Sequence, residues 1–492
     1  MILGISYGFH DAGVTLIDNN KILFAAHAER YSKVKHDSEL NADILHEALS
    51  YGIPGQIAYY ENPWNKKLRQ AFAGQWSDAL SFPKIKRTIV KTTGLDKPIT
   101  YVDHHKSHAA AGFATSPFDS AAVIVVDAIG EWDTMSIWHA KTLDNGVVEY
   151  NKLWANSYPH SIGLMYSAFT QRVGLRPLDE EYILMGMAGY GKPNVYKDME
   201  ADLISDLGEL KFAKNMHLGV EKDYLKDSKD VDIAASVQEL TEKLLNQIFS
   251  TARQKCGTQE QNVVFMGGVA LNCVANRHLG EVFENIWIMP NPGDCGSSLG
   301  AAAAIYGKKL NWQHPYLGTN ISGDYPVKGL IKHLKKHKIA GVASGRAEFG
   351  PRALGNRSLI ADPRGATIKD EVNKIKRRQL FRPFAPAILT EHVHDYFDLP
   401  TNWDKSDYMQ VVATCKKPEE FPAIVHVDGT SRVQTVGKDS HTGFRKLLEA
   451  WYAETGCPML LNTSLNIRGE PMVNVRSDAD RFEQKYGVKV FS

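Results

Sequence analysis

The stretch DHHKSHAAAGFA holds three imidazoles close together, at His104, His105 and His108. Its alanine-rich continuation predicts a helix over 103–114, where residues four apart share a face and adjacent residues diverge by about 100°. His104 and His108 can meet one ion there, and His105 points elsewhere. A zinc-protease site needs a Glu directly after the first His as general base, and His105 occupies that place. Asp127 ends a buried apolar run, AAVIVVD, and Asp294 lies in the glycine turn NPGDCG. Carboxylates at strand ends complete an N2O2 donor set that suits Fe(II), Mn or Zn. An incidental histidine pair stands as the alternative.

Two strand–glycine–helix passages come later, VVFMGGVALN and IMPNPGDCGSSLG. Glycines between a strand and a helix let backbone amides approach phosphate at the positive helix end. Gly267, Gly268, Gly293 and Gly296, with Asn272 beside them, are the expected nucleotide contacts. Further on, GRAEFGPRALGNRSLIADPR carries Arg346, Arg352, Arg357 and Arg364 among glycines and prolines. Guanidinium forks match phosphate or carboxylate. The competing reading pairs buried arginines with Glu348 and Asp362.

The elements that must position these residues are legible as alternations. MILGIS, VTLID and KILFAA, separated by YGFHDAG and NN, predict three antiparallel strands with Asp11 in the first turn. AAVIVVD, TMSIWHA and VVEYNKLW repeat the pattern, with Asp127 in the corresponding turn. Such a duplicated unit resembles the organisation of the actin, sugar-kinase and heat-shock-chaperone superfamily (ASKHA), whose first turns approach a nucleotide's phosphates. Apolar spacing in SVQELTEKLLNQIFSTARQKCG predicts a helix. The polar stretch 311–326 is the expected linker, and 327–492 is long enough for a separate α/β domain.

At 492 residues the chain should form two or three domains. A net charge of +1 argues against a polyanionic partner or an anionic membrane, although basic runs occur at 66–70 and 83–87. Five cysteines without a C-x-x-C pair read as reduced thiols, with no zinc ribbon. The N-terminus lacks a signal peptide's basic region, and no apolar run approaches bilayer-spanning length. The expectation is a cytoplasmic protein that does not associate with membranes.

Nearly end to end, the chain resembles the O-carbamoyltransferases of the NodU/CmcH type. The motifs that carry the resemblance are GISYGFHDAG, AERYSKVKHD, DHHKSHAA, VVDAIGEWD, GGVALNCVAN and NPGDCGSSLGAA. The second half adds GRAEFGPRALGNRSLIADPR, FRPFAPAIL, HVDGTSRVQTV and LLNTSLNIRGEP. The resemblance implies an α/β protein: an N-terminal duplicated ASKHA-type (actin/sugar-kinase-like) domain over 1–315 and a C-terminal YrdC-like domain over 327–492. In that family the C-terminal domain converts carbamoyl phosphate and ATP, with Mg, into carbamoyl adenylate. The N-terminal domain then passes the carbamoyl group to an acceptor hydroxyl beside a metal, usually iron.

Carried over by motif, the metal ligands are His104, His108, Asp127 and Asp294. The K-x-R signature falls on Lys376 and Arg378, and S-x-N on Ser464 and Asn466. Arg432, in DGTSRVQ, and Arg346 are further anion-binding candidates. His10, next to Asp11, is the expected base for the acceptor hydroxyl. A small-molecule or sugar hydroxyl is the expected acceptor, with a hydroxymethylated nucleobase in DNA as the alternative, and a homodimer is a further expectation. An ATP-binding, chaperone-like module without transfer activity is the non-enzyme alternative. Ile183 and Gln379 stand where the family commonly has Lys and Glu.

Overall fold

Alternating buried residues and tight turns open the chain as three antiparallel strands, β1 (Ile2–Ser6), β2 (Gly13–Asp18) and β3 (Lys21–His27). Two parallel strands, β4 (Gln56–Tyr59) and β5 (Ile99–Tyr101), extend the sheet in the order β3-β2-β1-β4-β5. A second sheet has the same plan. Its antiparallel strands are β6 (Ser120–Gly130), β7 (Asp133–Thr142) and β8 (Val148–Ser157). Its parallel additions are β9 (Asn262–Met266) and β10 (Asn285–Trp287), giving β8-β7-β6-β9-β10. This computed structural model describes residues 1–81, 84–380 and 382–492. Pro83 of the second basic run and Phe381 of the FRPFAPAIL motif lie outside the described residues.

Four helices position the N-terminal site and its surroundings: α1 (Pro63–Phe72), α2 (His104–Thr115), α3 (Asp230–Cys256) and α4 (Ser297–Tyr306). The outer face of the second sheet is covered by α3, whose Val237, Leu244 and Ile248 join Ile124 and Phe265 in one core. Between the sheets lie α4, against β1 and β2, and α2, against β6 and β9. Small residues make this sandwich close. A Cβ on Gly4 would fall 1.9 Å from the Ser298 carbonyl oxygen, and one on Gly300 1.7 Å from that of Ser107. A Cβ on Gly112 would meet a Val264 methyl at 2.5 Å. The first sheet, α4 and α2 are thus in direct backbone contact, and α2 rests on side chains of the second sheet.

Two local expectations change. The passage after β9 is not one helix but short turns of 3₁₀ type, Gly268–Leu271 and Ala275–His278, followed by Leu279–Val282. Asn272 punctuates it: its side-chain Oδ1 accepts the Ala275 amide at 3.1 Å. The stretch 311–326 is not a plain linker either. Its apolar YLGTNI forms the strand Tyr316–Ile321, largely buried and antiparallel to Gly345–Glu348.

The C-terminal part builds its own core on a six-stranded sheet. The central strands are Ala385–Leu389, Met459–Ser464, Arg357–Ala361 and Ile339–Ala343, each antiparallel to its neighbour. Trp403 and Val411 reach out of it into the core under the second sheet. All five cysteines are free thiols. Among the described residues, no helix is long and apolar enough to cross a membrane.

The α2–α4 crossing yields a prediction. Gly300→Ala should cost about 1–3 kcal/mol through forced separation of the two helices. Urea unfolding is expected to show a lower midpoint with an unchanged slope; an unchanged midpoint would contradict the close crossing.

Candidate metal centre and arginine cluster

His104 and His108 project from the first turns of α2, on one face as their spacing requires. Their Nε2 atoms stand 3.1 Å apart. Asp127 Oδ2 lies 3.4 Å from the first and 3.1 Å from the second. Asp294 Oδ1 lies 3.4 Å and 3.3 Å from the same two atoms. Edges of this length belong to a tetrahedron with corners about 2 Å from its centre, the distance at which imidazole and carboxylate bind first-row divalent ions. All four residues are buried. The donor set therefore fits a metal such as Fe(II), Mn or Zn.

Local structure explains the convergence. The pairing of β6 with β7 slips between Val126 and Gly130, and the bulge turns Asp127 toward α2. Gly130 leaves room for the imidazole, since a Cβ there would lie 2.3 Å from His104 Cδ2. Asp294 sits in the turn leading into α4. His108 Nδ1 donates to the Pro292 carbonyl at 3.0 Å, which leaves the Nε2 lone pair facing the centre. His105 points away and bonds Ser136 Oγ at 2.7 Å. Burial and the two adjacent imidazoles hold its pKa well below the usual histidine range.

Burial disfavours charge on the paired imidazoles, yet Asp294 and Asp127 outweigh it and raise His104; the same carboxylates raise His108. Burial likewise opposes ionised carboxylates, and the imidazoles reverse that, lowering Asp127 well below its usual range. The pocket demands a cation, whether protons or a metal ion.

His10 and Asp11 lie at its edge. His10 Nδ1 donates to Asp11 Oδ2 at 3.0 Å, and His10 Nε2 faces Asp294 Oδ2 at 3.8 Å. Burial lowers the His10 pKa, but Asp294 and Asp11 win and push it up to about 9. His36, outside the predicted set, bridges Asp11 Oδ1 at 2.8 Å and Asp179 Oδ1 at 2.9 Å. The charged HD pair ending AERYSKVKHD was its signal.

The glycines divide by role. Gly267, at φ +91°, would drive a Cβ to 2.1 Å from the Val126 carbonyl, and Gly296 to 1.9 Å from that of Asn291. Both serve close packing of the ligand-bearing segments. The Gly268 amide donates to Asp127 Oδ1 at 3.4 Å. A Cβ on Gly293 would meet nothing within 4 Å. The Asn272 amide is taken up by Gln238 at 3.1 Å, so its side chain serves the fold.

The C-terminal candidates form a second site. Lys376 Nζ donates to the Ser464 carbonyl at 2.6 Å, Ser464 Oγ at 2.9 Å and Asn466 Oδ1 at 2.7 Å, so all its protons are held by protein. Arg378 donates to Asn373 Oδ1 at 2.7 Å and lies 4.2 Å over the Phe384 ring. Arg352, Arg382 and Arg432 join it. Burial, then Arg432, pushes Arg352 down to about 9, and burial, Arg382 and Arg432 lower Arg378. Arg432 Nε is buried without a hydrogen-bond partner among the described residues. The cluster is completed by Arg382, which lies 4.7 Å over the Tyr182 ring. Its guanidiniums, without an ion pair among the described residues, have the charge and fork geometry that an anion would match. Arg382 and Tyr182 were missed as single residues, although Arg382 lies within FRPFAPAIL.

Arg346 does not join them, and here the expectation is corrected. Its Nε donates to the Gly318 carbonyl at 3.1 Å and its terminal nitrogen to that of Leu23 at 2.8 Å, so it ties β3 to Tyr316–Ile321. Arg357 is likewise spent on backbone carbonyls, and Arg364 pairs with Asp362 at 2.9 Å. Only Arg352 of that run faces the cluster. A separate cavity of about 450 Å³, lined by Trp287, Trp312, His314 and Tyr408, opens at the far end of α2 and touches neither site.

Comparison with known proteins bears on these two sites. Residues 1–60 and 60–303 match the carbamoyltransferase N-terminus family, and residues 331–491 match the carbamoyltransferase C-terminus. The uncharacterised protein sll1178 of Synechocystis sp. is 34% identical, over 98% of this chain and 93% of its own. Nodulation protein NolNO of Sinorhizobium fredii is 29% identical, over 96% and 76%. The 3'-hydroxymethylcephem-O-carbamoyltransferase of Amycolatopsis lactamdurans is 26% identical, over 97% and 95%. Among solved structures, full-length HypF in its phosphate- and nucleotide-bound form aligns with TM-score 0.36 and 15% identity. That alignment covers 62% of this chain and 46% of HypF, too slight to bear on the fold. With both family regions matched in order along nearly the whole chain, the protein belongs to the carbamoyltransferase family and is an O-carbamoyltransferase of the NodU/CmcH type, an enzyme that moves a carbamoyl group to a hydroxyl.

Proposed function

We propose that the protein is an ATP-dependent O-carbamoyltransferase with two sites of opposite charge. The observation that carries this reading is the buried N2O2 cage standing apart from an arginine cluster that no carboxylate neutralises among the described residues. The cluster around Arg352, Arg378, Arg382 and Arg432 binds carbamoyl phosphate and the ATP phosphates, with Mg accompanying ATP. Lys376 works from below, holding Ser464 and Asn466 in place. Water cleaves carbamoyl phosphate to carbamate and phosphate. A carbamate oxygen then attacks the α-phosphorus of ATP, pyrophosphate leaves, and carbamoyl adenylate results.

Transfer follows in the N-terminal part, whose paired sheets we read as an ASKHA-type duplication. The acceptor oxygen attacks the carbamoyl carbon and AMP leaves. With a cation neutralising Asp294, whose charge otherwise keeps His10 protonated, His10 would take the hydroxyl proton at Nε2 while Asp11 holds the other ring nitrogen as donor. A divalent ion held by His104, His108, Asp127 and Asp294, iron by the family pattern, supplies Lewis acidity to the reacting carbonyl or phosphate. Gly293, open on its Cβ side, offers its backbone to the nucleotide. The acceptor is a small-molecule or sugar hydroxyl.

Two outcomes test the division of labour. Protein given ATP and carbamoyl phosphate should release pyrophosphate, and Arg352→Ala should lower that rate at least about a hundredfold. Pyrophosphate forming equally fast without carbamoyl phosphate would sink the activation chemistry. His108→Ala should leave pyrophosphate release within about twofold of wild type while bound metal, measured by elemental analysis, falls about tenfold or more. Metal retained in full by that variant would remove the cage from the scheme.

A further inference from the structure

Five exposed large apolar side chains fall within seventeen residues, on and just after α1. Trp64, Leu68 and Phe72 recur every four residues along one helical face, with exposures of 58%, 63% and 69%. Trp76 and Leu80 continue the row at 62% and 77%. Elsewhere a side chain of this kind is usually tucked against a core, and a contiguous exposed group marks a docking surface. The opposite face of α1 is firmly seated: Arg69 is buried and donates to the Glu131 carbonyl at 3.1 Å. The row is therefore the helix's free side rather than an unfolded edge.

Charge indicates what covers it. Residues 61–97 carry eight Lys or Arg against Glu61 and two Asp, a local +5 in a chain whose total is +1. Within it, Lys66 is paired to Glu61 and Arg69 is buried. The near-neutral total conceals this segregation. In the helix Ile85–Thr93, Ile85 and Ile89 are buried while Lys86, Arg87 and Lys91 stand exposed. Lys67 of α1 donates to Ser81 Oγ, tying the end of the row back to the helix. Tryptophan, phenylalanine and leucine on one face, with lysine and arginine around them, is the composition of a segment lying in a lipid interface. Duplex DNA would use the lysines and leave five large apolar side chains in water.

The platform also has a fixed relation to the metal centre. The Glu131 carboxylate accepts from the Asn62 amide at the start of α1, from Asn65 Nδ2 at 3.1 Å and from the His104 amide at 3.2 Å. One side chain thus clamps the start of α1 to the start of the ligand helix. Phe72 meets Trp132 with ring centroids 5.5 Å apart, and Lys66 lies 5.5 Å over the ring of Phe9, the neighbour of His10.

We propose that the Trp64–Leu80 row, to which Glu131 ties the metal-ligand helix, docks the enzyme on an anionic lipid surface. Resting on the proposed carbamoyl transfer, the acceptor hydroxyl then belongs to an amphiphile held in that surface. This departs from the expectation of a protein that does not associate with membranes, which was drawn from total charge and from the lack of a signal or spanning segment.

The full chain is mixed with vesicles of phosphatidylcholine containing about one third phosphatidylglycerol, and with phosphatidylcholine vesicles alone, then sedimented. Wild type should partition at least about tenfold more onto the anionic vesicles, and less as salt is raised. Leu68→Glu/Phe72→Glu should lose this binding and keep carbamoyl-phosphate-dependent pyrophosphate release; Trp76→Ser/Leu80→Ser should weaken binding in the same direction. Equal binding to both vesicles, no binding to either, or full binding by both double variants would overturn the proposal. So would a wild-type dimer that Leu68→Glu/Phe72→Glu dissociates, or duplex-DNA binding that the same variant abolishes. Anionic-vesicle binding by protein that releases no pyrophosphate would uphold docking and overturn the carbamoyl-adenylate chemistry.

Discussion

Two ionised carboxylates buried beside two imidazoles are the constraint on which the N-terminal half is organised. Asp127 and Asp294 come from different sheets' neighbourhoods, one from a bulge in β6 and one from the turn before α4. Like charges brought this close in a buried pocket repel strongly unless positive charge lies between them. The fold supplies rigidity enough to hold them there. Backbone touches backbone at Gly4, Gly300 and Gly267, so the ligand-bearing segments cannot drift apart without breaking the sandwich. Alanines at 109–111 and 301–303 have the same effect: they give up side-chain volume to bring α2 and α4 together.

The C-terminal half meets the converse constraint. Four guanidiniums converge, none ion-paired to a carboxylate among the described residues, and burial together with Arg382 and Arg432 lowers the proton affinity of Arg352 and Arg378. Such a cluster is costly when empty and is relieved by an anion. Lys376 shows how the cost is contained: its three protons are satisfied by Ser464 and Asn466, so it stiffens the floor of the site instead of adding a free charge. The buried arginines that turn away are satisfied by carbonyls or by Asp362.

How much the sequence disclosed depends on how local each signal is. The His104–His108 pair was legible because helical spacing alone sets it, and both meanders because alternation and turn residues set them. Asp127 and Asp294 were legible through position, after a strand and in a glycine turn. Arg346 was not, since nothing local distinguishes a guanidinium aimed at phosphate from one aimed at the carbonyls of Leu23 and Gly318. Asn272 is held by Gln238 on α3, a partner that no local pattern discloses. Tyr316–Ile321 looked like linker because its hydrogen-bonding partner, Gly345–Glu348, lies beyond an intervening helix. The basic runs at 66–70 and 83–87 were legible, but the apolar row beside them was not. Apolar spacing on a helix reads as a buried face until the packing is known.

One short segment joins the two charged sites. Pro292 accepts the His108 Nδ1 proton and the Gly267 amide, so it orients a metal ligand and fixes the glycine turn at once. Two residues earlier, the Pro290 carbonyl lies where a Cβ on Gly350 would stand, at 2.6 Å, which seats the GPRALG loop directly on the same turn. A small cavity there is lined by Arg352 on one side and by Pro290 and Pro292 on the other. An acyl phosphate derivative is readily lost to water, and a rigid shared wall shortens the interval in which water can reach it. The segment Met289–Pro292 therefore does for the pair of sites what Glu131 does for the metal centre and α1: it makes their spacing a property of the backbone, independent of any ligand.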